Sequence, residues 1–252
     1  MDIATLGGLL VGIGAIVLSF LMEGGHLAMV FQAPAMILVI FGTLGASAVT
    51  TSFATVARIP KYIKVALSGR QGNVLETIDL LVKSAGKARR DGILGLESEL
   101  KNISDPFFRK AMQLAIDGTE VTTLRSILET EIAYIEERHR DGITLFSKLG
   151  GFSPTLGIIG TVLGLIHTLA NTEDAGKMAS SIAAAFIATL WGVGMANLFY
   201  LPLGDKLKYR HNQEMQHLEL ILEGITSIQS GDSPRVIRAR LLSFLHPKER
   251  EG

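Results

Sequence analysis

The chain has no cysteine anywhere in its 252 residues. A disulfide scaffold, cysteine-bound zinc and iron–sulfur clusters are therefore excluded. It also lacks a charge excess: 24 Lys and Arg balance 24 Asp and Glu, so no bulk electrostatic case for binding nucleic acid arises. No nucleophile motif, HExxH pair, P-loop or Rossmann glycine pattern occurs, so neither an enzyme nor a resident metal or cofactor is expected. The most telling absence is local. Asp, Glu, Lys and Arg are missing altogether from four long runs, 3–22, 27–57, 149–172 and 178–204.

What is present is apolar. Hydrophobic residues make up 48% of the chain, charged residues 19%, and mean hydropathy is +0.35. That is too apolar for an ordinary soluble domain. About 20 helical residues cover a hydrocarbon core of roughly 30 Å, and all four runs are long enough. The first run resembles a signal peptide in length. It lacks a basic start, since the chain opens Met1-Asp2, and reads as a retained helix. The remaining charge fixes the expected direction. Fourteen Lys and Arg lie between Phe53 and Leu145 and eight follow Gly204, whereas the two short turns, 23–26 and 173–177, hold only Lys177. Positive charge stays inside, so both termini and the middle segment are expected to be cytoplasmic and the two short turns to face out.

The expected fold class is an all-α polytopic membrane protein. Its first hairpin is 1–57, with spans at 3–22 and about 30–52. A cytoplasmic helical insert is expected at 58–146, a second hairpin at 147–204 with spans 149–172 and 178–202, and a helical tail at 205–252. Asp105-Pro106 and Ser233-Pro234 read as helix starts, and Gly118 as a stop. Leu124, Ile127, Leu128, Ile132 and Ile135 share one side of a long charged helix over 122–141. Leu218, Ile221, Leu222, Ile225 and Ile228 do the same in the tail. The helices of the insert and tail are expected to prolong spans two, three and four.

Span three contains FSPTLGIIGTVLGLIHT, more varied than solubility in lipid requires. At 100° per residue, Pro154, Gly157, Thr161, Gly164 and Thr168 fall in a wedge of about 80°. Span four repeats the design, with Ser181, Ala185, Thr189, Gly192 and Ala196 in one wedge. Two uses fit such stripes. Small residues let helices approach closely, and they can also line a pore or a central partner. Pro154 cannot donate its N–H and crowds the carbonyl of Gly150, which suits a kink or a helix start. Pro202 is expected to end span four. His167 lies off the wedge and reads as a packing or interface residue. No carboxylate lies in any span, so if the chain conducts cations, a second chain should supply the charged carrier.

These residues resemble the A subunit family of the bacterial flagellar stator (MotA/PomA/MotP) in the MotA/TolQ/ExbB superfamily. The matching pieces are MDIATLGGLLVGIG, KARRDGILGLE, IDG, ERHRDG, SPTLGIIGTVLGLIHTL, AAFIATLWGVGMANLFYLPLGDKL and LILEGITSIQSGDSPRVI, in order from end to end. The resemblance implies a five-fold ring of this chain around two B subunits, which carry the ion-binding aspartate and anchor to peptidoglycan. Passage of a monovalent cation, Na+ or H+, would turn the ring and drive the rotor's switch-ring protein. Pro154 and Pro202 match the prolines that couple conformation to ion passage. Arg89, Arg90 and Glu97 match the charged rotor contacts, although without the resemblance they would read as a solvated helix face. Thr161 and Thr189 match positions bordering the ion path, with Gly157, Gly164, Ala185, Ala188 and Gly192 lining it. Sodium-type members look like GTLxGL with a double Thr in span four. This chain has GTVLGL, but Ala188 precedes Thr189. The oxygen of Thr161 tips the reading slightly to sodium. The alternatives are a TolQ/ExbB-type energiser of outer-membrane processes, which has three spans and an outward N-terminus, and a membrane scaffold without transport.

Overall fold

The structure, a computed structural model, describes residues 3–68, 73–171, 175–245 and 247. Every regular element among them is helical. In chain order these are α1 (Ile3–Met22), a 3-10 turn (Leu27–Val30), α2 (Ala33–Thr50), α3 (Phe53–Ala57), α4 (Ile59–Leu67) and α5 (Val74–Asp91). A 3-10 segment (Ile93–Asn102), α6 (Pro106–Ile116), α7 (Val121–Asn171) and α8 (Ala175–Met195) follow. A π-helical turn (Ala196–Tyr200), α9 (Leu201–Gln229) and α10 (Pro234–Leu242) complete the chain. Among the described residues, four helices are long and apolar enough to cross a membrane: α1, α2, α7 and the helix running through α8. Thr172 and the first part of the turn expected at 173–177 lie outside the described residues.

The chain forms two compact units. Unit 1 comprises Met1–Gly69 and His139–Tyr209; unit 2 comprises Arg70–Arg138 and Arg210–Gly252. In unit 1, α1 has no buried residue, as expected of a helix whose solvent is lipid. A compact cluster forms around Leu145, Phe146, Leu149, Tyr200, Leu203 and Leu207. Ile59, Tyr62, Ile63 and Ala66 of α4 pack on it. The stretch 59–67, which charge alone groups with the insert, therefore belongs with the spans.

Unit 2 has its own core. Ile78, Leu81, Leu96, Phe108, Met112, Leu124, Leu128, Ile221, Ile225 and Ile237 are among its buried members. Asp105 caps α6 by accepting from the N–H groups of Phe107 (2.8 Å) and Phe108 (3.0 Å). Gly118 follows with φ +77°, the left-handed turn that a glycine takes at little cost. Ser233 caps α10. The tail stripe from Leu218 to Ile228 is buried as the spacing predicts, but Ile127 remains 37% exposed.

Of the two readings of Pro154, the helix start is closed, because α7 is already helical from Val121. Helix runs on past Pro202 to Gln229, so the tail helix prolongs span four. One expectation needs correction. Span two is not prolonged as one helix: Thr51 adopts φ −135° and ψ −165°, and Ser52 then caps a new helix through the N–H of Thr55.

Candidate functional site

The two small-residue wedges face each other. Gly157 of α7 and Gly192 of α8 meet backbone to backbone: a Cβ on Gly157 would lie 2.8 Å from the Ala188 carbonyl oxygen and 3.1 Å from Gly192 Cα. A Cβ on Gly192 would lie 2.7 Å from the Ser153 carbonyl oxygen. Further along, a Cβ on Gly164 would lie 2.7 Å from that of Ala185. Gly157, Ala185, Ala188 and Gly192 are all buried at this seam. Close packing, one of the two uses open to such stripes, thus accounts for the glycines and alanines within this chain.

Both threonines lie at the same seam. Thr161 Oγ1 lies 2.5 Å from Thr189 Oγ1, 3.1 Å from the Ala185 carbonyl oxygen and 3.2 Å from that of Gly157. Thr189 Oγ1 also lies 3.4 Å from the Gly157 carbonyl oxygen. Each hydroxyl has one proton to donate and two lone pairs to accept with. Two hydroxyl and two carbonyl oxygens therefore converge in an apolar stretch that offers no carboxylate. Thr161 is 9% exposed, whereas Thr189 is only half-buried, so the cluster has one accessible edge. Among the described residues no group of three His, Cys, Asp or Glu side chains converges to hold a metal ion.

Sequence reasoning missed Ser153, whose hydroxyl is fully buried and donates to the Gly192 carbonyl oxygen at 2.9 Å. Its signal was present, since it borders the wedge beside Pro154. Trp191 is a second residue the sequence did not single out. Its indole N–H donates to the Val30 carbonyl oxygen at 2.8 Å, and its ring lies 6.0 Å from that of Phe31, fixing the α1–α2 connection. His167 is exposed, off the seam.

The two prolines mark irregular backbone. Pro202 lacks an N–H and its ring presses on the carbonyl four residues back, at Leu198. The helix accommodates this with an extra residue per turn: the Leu201 N–H donates to the Ala196 carbonyl oxygen five residues back. Pro154 imposes the same loss on Gly150, whose missing Cβ is filled by Leu201; a Cβ there would sit 2.6 Å from Leu201 Cγ.

In unit 2, Arg89, Arg90 and Glu97 are all exposed, at the end of α5 and in the 3-10 segment. Their neighbour Glu99 holds that segment to α5 through Lys87 at 2.9 Å and Lys83 at 3.8 Å. The Lys87 ammonium holds the Glu99 carboxyl below the usual carboxylate range. His217, 3.4 Å away, does the same to Asp105, helped by the Phe108 and Phe107 N–H groups and opposed by burial.

Comparison with known proteins agrees with this architecture. The family model of the MotA/TolQ/ExbB proton channel family matches residues 99–220. The model for the N-terminal part of motility protein A matches residues 6–92, a match that sides with the motility branch over the TolQ/ExbB alternative. Motility protein A of Borreliella burgdorferi is 35% identical over 99% of this chain and 96% of its own length. The structure of MotAB from C. jejuni contains a chain that superimposes with a TM-score of 0.92 at 30% identity, covering 98% of this chain and 97% of that one. The flagellar MotAB stator complex of Bacillus subtilis gives the same TM-score, identity and coverage. The chain belongs to the MotA/TolQ/ExbB proton channel family, on its motility protein A branch.

Proposed function

We propose that this flagellar stator subunit forms a monovalent-cation path jointly with a B subunit, with the Thr161–Thr189 oxygen cluster bordering that path. The observation that carries the reading is the convergence of two hydroxyls and two carbonyls within the apolar runs 149–172 and 178–204, which contain no acid. Backbone and hydroxyl oxygens can replace part of an ion's hydration shell. They cannot hold or release a proton at useful pH, because neither group titrates there. The charged carrier therefore comes from the partner, as an aspartate on the B subunit. The extra oxygen of Thr161 favours Na+ over H+.

The chain lies in the bacterial inner membrane with both termini cytoplasmic, as its Lys and Arg distribution supports. Five copies surround two B subunits. Pro154 and Pro202 supply backbone that can change its hydrogen bonding as the ion passes. Arg89, Arg90 and Glu97 meet the rotor's switch-ring protein. One charge crossing 100 mV releases about 2.3 kcal/mol, enough to bias a step between states that differ by a few kcal/mol. The test is reconstitution of the chain alone and with its B subunit, followed by flux measurement in sodium and proton gradients. Flux is expected only with both chains and a sodium gradient. Robust flux from the chain alone would overturn the shared path.

A further inference from the structure

We propose that the outward face of α4 is a docking face for anionic phospholipid headgroups of the membrane in which the spans lie. The inference rests on the membrane placement above but not on the ion path.

From Gly24 to Leu75 the chain has no Asp or Glu, yet Arg58, Lys61 and Lys64 fall within seven residues. On a helix they do not scatter. Ile59, Tyr62, Ile63 and Ala66 turn one way and pack on the Leu145–Leu149 and Leu203–Leu207 cluster. Gly142 makes room for Tyr62: a Cβ there would lie 2.9 Å from the Tyr62 ring. Arg58, Lys61, Lys64 and Val65 turn the other way, over an arc of about 120°. All are exposed, and none of the three basic side chains has a hydrogen bond or ion pair among the described residues. Phe53, 80% exposed, precedes them.

The location narrows the partner. α2 is a candidate span that ends at Thr50, and α3 and α4 follow directly. Lys148, one residue before the apolar run of α7, donates to the Thr50 carbonyl oxygen at 2.9 Å, tying both helices to one level. An amphipathic helix at a span's exit, with basic residues outside and exposed Phe and Val beside them, suits the boundary between headgroups and acyl chains. Asp141 and Asp205 are the acids of the neighbouring α7 and α9 stretches in this unit, against Arg140, Lys148, Lys206 and Lys208. The excess of positive charge is thus shared by all the elements packed on α4. A surface of phosphodiester headgroups complements it, and each basic residue at such a surface contributes about fivefold to association.

Because the chain has no cysteine, Ser68→Cys places a single fluorophore in it beside Lys64. The full stator complex carrying this label is reconstituted into vesicles of phosphatidylcholine and phosphatidylglycerol, either lipid being spin-labelled in turn. Quenching by phosphatidylglycerol is expected to exceed that by phosphatidylcholine about tenfold at low salt and to weaken at high salt. The preference should vanish in Arg58→Gln/Lys61→Gln/Lys64→Gln and survive in Lys61→Arg/Lys64→Arg, which guards against misfolding. Equal quenching by the two lipids, no quenching by either, persistence in the triple glutamine variant, or displacement by inorganic phosphate would each overturn the proposal. Swimming restored by the labelled chain, measured separately, reports on the stator reading, so the two can fail independently.

Discussion

Gly157→Ala tests whether the α7–α8 seam sets the geometry of the oxygen cluster. The new Cβ would sit 2.8 Å from the Ala188 carbonyl oxygen and 3.1 Å from the Cα atoms of Gly192 and Thr189. Carbon atoms rest at about 3.5–4.0 Å, so the two backbones must part by roughly half an ångström. No flexible side chain stands there to give way. Such overpacking costs about 1–3 kcal/mol. Helix propensity works in the opposite direction, since replacing glycine by alanine gains about 0.5–1 kcal/mol in an unstrained helix. Gly151 on α7 and Gly194 on α8 isolate that gain, because a Cβ at either meets nothing within 4 Å. Thermal unfolding of the purified complex should therefore rank Gly151→Ala and Gly194→Ala at or above the parent, with Gly157→Ala clearly below. The separation also strains the 2.5 Å contact between Thr161 and Thr189, four and thirty-two residues along. Swimming speed should fall in Gly157→Ala and hold in both controls. If all three variants match the parent in stability and speed, the seam does not exist as described.

Thr161→Val keeps the shape and removes the hydroxyl shared by Thr189, Ala185 and Gly157. It should lower swimming speed across a sodium series while costing only about 0.6–1 kcal/mol in stability, and Thr161→Ser should recover most of the speed. Arg89→Glu or Glu97→Lys should impair swimming with assembly intact, because both side chains are exposed and hold no partner among the described residues; normal motility in both would reject the rotor assignment. Acidification should destabilise unit 2. Glu99 and Asp105 have folded pKa values below their unfolded ones, so their contribution is full above about pH 4–4.5 and is lost as pH falls through the depressed folded values. A thermal scan across that window should be flatter for Asp105→Asn, and Asp105→Ala should cost about 1 kcal/mol at neutral pH through loss of the α6 cap.

The four spans were legible because runs without charge exceed the bilayer-crossing length and nothing else in a chain produces such runs. The caps at Asp105 and Ser233 were legible because the N-cap and the following proline act locally. The wedges on α7 and α8 were legible as faces, but not as partners. The angular position of Gly157 says that it shares a side with Thr161; only the packed structure says that Gly192 fills the space opposite. The place of α4 was hidden for a different reason. Its apolar positions, Ile59, Tyr62, Ile63 and Ala66, span too little sequence for periodicity to register, and Arg58 looked like the start of a soluble segment. Glu99 was hidden within a charge-rich stretch that reads as a solvated face, where sequence cannot separate a paired carboxylate from an exposed one such as Glu97.

The two prolines become more informative in space than in sequence. Each removes a backbone donor, and a polar group left unpaired in lipid costs several kcal/mol, so each helix must find a local remedy. Around Pro202 the remedy is the π turn from Ala196 to Tyr200. Around Pro154 the affected carbonyl belongs to Gly150, and the side chain filling the gap at Gly150 is Leu201, which immediately precedes Pro202. The two irregularities are thus adjacent within unit 1, one on each helix of the pair that carries the threonines. A regular helix resists bending because every turn is held by a full set of hydrogen bonds; here two neighbouring helices each lack one bond at the same level. Substituting Pro202 by alanine should let an ordinary i to i−4 bond form and remove the reason for the π turn. If the paired irregularity is what allows the helices to move together, Pro202→Ala should raise thermal stability while slowing swimming. A variant that gained stability and swam at full speed would leave the prolines as packing features with no part in coupling.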